Sequence, residues 1–150
     1  MRPIHKVLRI WTSLLLLALL AAAAQADTSR QEFAAALQKW RAAGIHNYSF
    51  TLFQSCFCPG GQPMRITVQD DKVLRASNAR GGAATEALVV GQPLTLSDIF
   101  QKIEEAYAKP ANHIRLTLNP QYGYPERVTI DYVEMMADEE LIYTISDFTR

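Results

Sequence analysis

Met64-Arg65-Ile66-Thr67-Val68-Gln69-Asp70-Asp71-Lys72-Val73-Leu74-Arg75-Ala76-Ser77 decides the architecture. Met64, Ile66 and Val68 alternate with Arg65 and Thr67, the period-2 signature of a strand with one face buried. Asp70-Asp71 makes a tight turn, because aspartate tolerates turn backbones that other residues avoid. Residues 73–77 then return antiparallel to the first arm. A hairpin of this kind has one apolar face, and that face needs a cover.

The cover is read on either side. Upstream, Tyr48, Phe50 and Leu52 point one way and Ser49 and Thr51 the other, so 48–57 reads as a third strand, turned by Pro59-Gly60-Gly61. Before it, Ser29 and Glu32 form a capping box for a helix over 29–43. Phe33, Leu37 and Trp40 are its apolar stripe, and Gly44 stops it. Downstream, a loose loop carries Arg80-Gly81-Gly82-Ala83-Ala84, and 87–90 reads as a short strand. Thr95-Leu96-Ser97-Asp98 is a second capping box, opening a helix with Leu96, Ile99, Phe100, Ile103 and Tyr107 inward and Pro110 as its stop. Residues 114–118 alternate, a loop covers 119–125, and Val128, Ile130 and Tyr132 share a face. Asp138-Glu139-Glu140 breaks the pattern before a last strand, 141–148.

The expected fold class is therefore α+β, in the order α-βββ-α-βββ, with two helices on one face of an antiparallel sheet of about six strands. At an offset of 66, Ser29 falls on Thr95, Phe33 on Ile99 and Gly44 on Pro110, which leaves an internal duplication open.

Arg2, Lys6 and Arg9 precede an apolar run from 14 to 24, and Ala24-Gln25-Ala26 ends it. These are the three parts of a secretory signal peptide, with cleavage expected after Ala26 and a single α+β domain over 27–150. The run is about half of the roughly 20 apolar residues a spanning helix needs, so no membrane span is expected. Position 27 is Asp, so there is no cysteine there to take a lipid. The expected location is periplasmic or secreted, and the alanine-rich leader points to a bacterium.

The chain has 15 basic and 15 acidic residues; without Arg2, Lys6 and Arg9, 12 bases face 15 acids, a net charge near −3. No run of lysines and arginines interleaves with aromatics, so nucleic acid is not an expected partner.

Taken in order, Trp40, Tyr48-Ser49-Phe50, Cys56-Phe57-Cys58, the helix start at 94–100, Gly123-Tyr124-Pro125 and Asp138-Glu139-Glu140 resemble a bacterial family of small exported or lipid-anchored domains of unknown function. The resemblance spans nearly all of 27–150. It implies an extracytoplasmic location and gives no activity. This chain departs from the lipid-anchored members in lacking the acylated cysteine.

Cys56 and Cys58 are the only two cysteines, and in an oxidising compartment a disulfide is the first reading. In a regular strand their Cα atoms would lie about 6.6 Å apart, near the upper limit for a bridge, so the strand must bend there. Three readings stay open: a structural clip, a thiol-redox pair, and a site for a soft ion such as Cu(I), to which Met64 or His46 would add a ligand. Two thiolates do not make a closed zinc site, and no second cluster completes one. His46 and His113 read as surface or turn residues.

The second candidate is the loop Asn119-Pro120-Gln121-Tyr122-Gly123-Tyr124-Pro125. Two prolines stiffen it, and Tyr122 and Tyr124 offer large amphipathic faces around Gly123, which suits partner binding. The competing reading is a rigid turn whose tyrosines pack over the sheet. The acidic pairs fall at turns, and no G-x-S-x-G, H-E-x-x-H or phosphate-cradling glycine loop occurs. The sequence thus reads as a non-enzymatic module without cofactor, binding an unidentified protein or envelope component. Redox or copper handling through Cys56 and Cys58 is the alternative.

Overall fold

A computed structural model describes residues 29–55, 62–81, 92–109, 111–132 and 140–150. The expected signal peptide, Cys56 and Cys58, the turn at Pro59 and the short strand at 87–90 lie outside the described residues. So do Pro110 and the acidic pair Asp138-Glu139. The chain divides into two units, Met1–Ala34 and Ala35–Arg150. Of the first, residues 29–34 are described and are helical, the chain being helical already at Ser29.

The helix, α1 (29–43), has its residues 35–43 in the second unit and runs to Gly44, which adopts φ +57 and donates its amide to the Arg41 carbonyl at 3.3 Å. That left-handed residue is the backbone shape that ends a helix and that glycine adopts without strain. The other elements are β1 (Tyr48–Ser55), β2 (Met64–Gln69), β3 (Lys72–Asn78), α2 (Leu96–Ala108), β4 (His113–Leu118), β5 (Pro125–Asp131) and β6 (Leu141–Thr149). Each expected strand among the described residues is present, its ends moved by a few residues at most. The turn between β2 and β3 has both Asp70 (φ 51) and Asp71 (φ 61) in the left-handed region, the geometry that matches the twist of a two-residue hairpin.

The six strands form one antiparallel sheet in the order β3-β2-β1-β6-β5-β4. Two meanders therefore meet through β1 and β6, the first and last of the described strands. Tyr48, Phe50 and Leu52 on β1, Met64, Ile66 and Val68 on β2, Val128 and Ile130 on β5, and Tyr143 and Ile145 on β6 are all buried on one face. Both helices cover that face. Trp40 of α1 packs against Tyr48 at 5.5 Å between ring centroids and against Phe100 of α2 at 6.4 Å.

The register between β1 and β6 shifts between Ser49 and Thr51. Asp147 absorbs the shift with φ 51, so Phe148 turns to the core face and Thr149 to the open one. Such a bulge changes the phase of side-chain alternation by one residue. Phe148 thereby reaches Tyr48 at 5.8 Å and stacks on Tyr124 at 4.6 Å.

The halves share an element order without sharing a geometry. Seen from the helices, one meander steps to the left of its first strand and the other to the right, because the strand order runs the same way while the strand directions are reversed. No rotation superposes two such units, so the offset of 66 reflects a common order of elements and not a repeated three-dimensional one.

Candidate functional site

The described residues enclose a groove of about 550 Å³ where the end of α1, the start of α2 and the β2–β3 turn converge. Leu37, Trp40 and Phe100, all buried, form its apolar floor. Arg41, His46, Asp71 and Glu104 stand exposed around it.

Local structure explains this placement. The left-handed Gly44 turns the chain off α1, so Ile45 and His46 cross beside the helix end. The β2–β3 turn is then fastened to this crossing at three points. The Asp71 amide donates to the His46 carbonyl at 3.2 Å, and the Asp70 amide donates to Asn47 Oδ1 at 3.1 Å. His46 Nδ1 lies 2.6 Å from Asp71 Oδ2. The carboxylate fixes the orientation of the imidazole at the rim of the groove. Both side chains are more than half exposed, at 61% and 52%.

On the other side, α2 starts with a complete capping box: Asp98 N donates to Thr95 Oγ1 at 3.0 Å and Thr95 N donates to Asp98 Oδ2 at 2.8 Å. The amide of Leu96 donates to the Tyr48 hydroxyl at 3.1 Å. Burial pushes the Tyr48 phenol up to about 12. That bond pins α2 to β1 and so sets the width of the groove. Sequence reading found the Thr95 box but not the groove, since His46, Asp71 and Glu104 are brought together only by packing.

The tyrosine loop is placed differently from the groove. Gly123 has φ +83, and a Cβ there would clash with the Ala36 carbonyl oxygen of α1. The Asn119 carboxamide accepts from the amides of Gln121 at 3.0 Å and Tyr122 at 2.8 Å, and Lys39 Nζ donates to the Pro120 carbonyl at 2.8 Å. Tyr124 is 7% exposed and sits edge-on to Trp40 at 6.2 Å. Its ring therefore serves the core, and the loop is a rigid corner docked on α1. Tyr122 is half-buried, with the Arg150 guanidinium 5.1 Å from its ring centroid. Of the candidate partner-binding residues Tyr122, Gly123 and Tyr124, only Tyr122 keeps a usable outer surface.

Cys56 and Cys58 follow directly on β1 but lie outside the described residues. Among those described, no group of three or more His, Cys, Asp or Glu is placed to hold a metal ion, and no helix is long and apolar enough to cross a membrane.

The pattern that defines a family of unknown function, DUF6174, matches residues 32–150, more than half of the chain. No curated protein and no solved structure matches it.

Proposed function

This chain belongs to the DUF6174 family of unknown function, and we propose that it is an exported, non-enzymatic module that binds a protein or envelope component. The observation that carries the reading is the groove between α1, α2 and the β2–β3 turn. Its volume of about 550 Å³ falls within the usual range for ligand sites, and an apolar floor with a few polar groups at the rim is the usual lining. Trp40 and Phe100 supply the area and Arg41 a cation, while the His46–Asp71 pair supplies an oriented polar ring. Export is supported by the basic, apolar and small-residue succession at the N-terminus.

The experiment uses Trp40 as its reporter. Trp11 is the other of the two tryptophans and lies in the expected signal peptide, so in the protein processed after Ala26 Trp40 emission reads the groove alone. Fractionated envelope material should shift or quench that emission, and Gln101→Tyr, which fills the groove from an exposed helix position, should abolish the response without lowering Tm. A Gln101→Tyr variant that responds like the parent, or a folded parent that responds to no fraction, overturns the proposal.

A further inference from the structure

The face of the sheet opposite the helices carries a charge pattern that belongs to no contiguous stretch of chain. Side chains alternate across a strand, so the partners of the buried residues mark this open face. Following the pairings across the sheet, Arg75, Thr67, Ser49 and Thr149 make one row. Ser77, Arg65, Thr51 and Ser146 make the next. Phe53, Thr144, Arg127 and Thr117 make the third, and Ser55, Ile142, Thr129 and Arg115 the fourth. The four arginines thus step one row at a time from the β3 edge to the β4 edge, a diagonal across the whole sheet. With strands about 4.8 Å apart and alternate residues about 6.8 Å apart, it spans roughly 30 Å.

Hydroxyls fill the stripe between and beside the charges: Thr51 and Ser146 lie between Arg65 and Arg127, and Thr144 and Thr117 flank Arg127. Phe53, 36% exposed, is two strands from Arg127 in the same row. Arg75, Arg115 and Arg127 are exposed. Arg65 donates to the Asp147 carbonyl at 2.7 Å and to Thr149 Oγ1 at 3.1 Å. Among the described strand residues, two acids share the face: Asp131, opposite His113 beyond the fourth row, and Asp147 at the bulge. The hydroxyls of Thr51 and Ser146, with Arg65 nearby, hold the Asp147 carboxyl below its usual range.

We propose that this diagonal of Arg75, Arg65, Arg127 and Arg115 on a threonine- and serine-rich sheet face is a binding surface for an acidic polysaccharide of the polyuronate class. Two features select that occupant. The guanidinium fork matches a carboxylate in a bidentate pair, and a linear array of forks fits a linear polyanion. The surface between the forks offers hydroxyl donors and acceptors and a single aromatic face, which suits a chain bearing both carboxylates and hydroxyls. An acidic peptide would need backbone partners, which a sheet offers at its edges and not on its face. A bilayer would gain from a broad apolar patch, whereas the large apolar side chains exposed among the described residues are two, Leu74 beside Arg75 and Phe53 two rows away. This surface is separate from the helix-side groove, so the two proposals stand or fall independently.

The test is titration of the purified protein with polygalacturonate at low salt. Micromolar or tighter binding is expected, weakening as salt screens the charges. Arg115→Gln and Arg127→Gln should each weaken it about three- to tenfold, consistent with loss of one partly exposed charge-assisted hydrogen bond. Thr144→Val should weaken it less. Arg41→Gln and Gln101→Tyr, both in the groove, should leave it unchanged. Unchanged Tm in the arginine variants shows that the fold is kept. The proposal is overturned if the Arg115→Gln/Arg127→Gln double variant binds like the parent. Polyglutamate, phosphatidylglycerol vesicles or a single-stranded oligonucleotide binding as tightly as polygalacturonate would overturn it too, since the hydroxyls would then not be read.

Discussion

Tyr48 joins three parts of the protein through one side chain. Its ring meets Trp40 and stacks on Phe50 at 5.8 Å, and its hydroxyl accepts from the first amide of α2. An unpaired buried amide costs about 1–3 kcal/mol, so Tyr48→Phe should lower stability by about that much at neutral pH. The alkaline limb carries a second signature. With its pKa raised from 10.0 to about 12, the neutral phenol is favoured in the folded state. That contribution is fully present below the unfolded value near 10 and is lost as pH rises towards 12, at up to about 1.4 kcal/mol per pH unit. Burial also raises Tyr124 and Tyr143, so the limb is shared. Urea melts between pH 8 and 12 (approximate bounds set by these pKa values) should fall more gently for Tyr48→Phe than for the parent. Equal slopes would mean that the Tyr48 phenol does not titrate with folding.

Between elements, the corner joining β4 to β5 shows how far local reading reaches. The residue types of 119–125 announce a stiff turn, and the turn is there, held by the Asn119 carboxamide. Whether its tyrosines face solvent depends on α1, more than 80 residues earlier in the chain, through Lys39 and the Ala36 carbonyl. Gly123→Ala should therefore cost about 2–4 kcal/mol, combining left-handed strain with a clash against backbone that cannot swing aside. Gly44→Ala, with φ +57 but open space around it, should cost only the strain, about 1–2 kcal/mol. Chemical denaturation of both variants separates the two contributions, and equal losses would show that the corner is not tightly docked. The α2 capping box was legible because its partners are three residues apart. The bulge at Asp147 was not, since aspartate at a left-handed position leaves no mark in the alternation around it.

Within the second unit, cohesion rests on the pairing of β1 with β6, the first and last of the described strands. Removing 141–150 would take Tyr143, Ile145 and Phe148 from the core and leave the β1–β3 meander and the β4–β5 hairpin with no strand between them. The truncated protein should lose its cooperative unfolding transition and its near-ultraviolet circular dichroism, whereas removing Arg150 alone should preserve both. A cooperative transition in the longer truncation would show that the helices hold the halves together without the sheet.

The amino-acid order by itself determined the elements: which segments are strands, where the helices begin and end, which side chains form the apolar face, and hence the α+β class. These depend on alternation, helical spacing and caps, all set by neighbours within a few residues. Only the tertiary structure decided that β1 and β6 lie at the centre, that Tyr124 belongs to the core, that His46 meets Asp71 beside Trp40, and that four arginines line up on the open face. Each of these joins residues tens of positions apart, and such pairings are chosen by the packing of whole faces, on which local periodicity is silent.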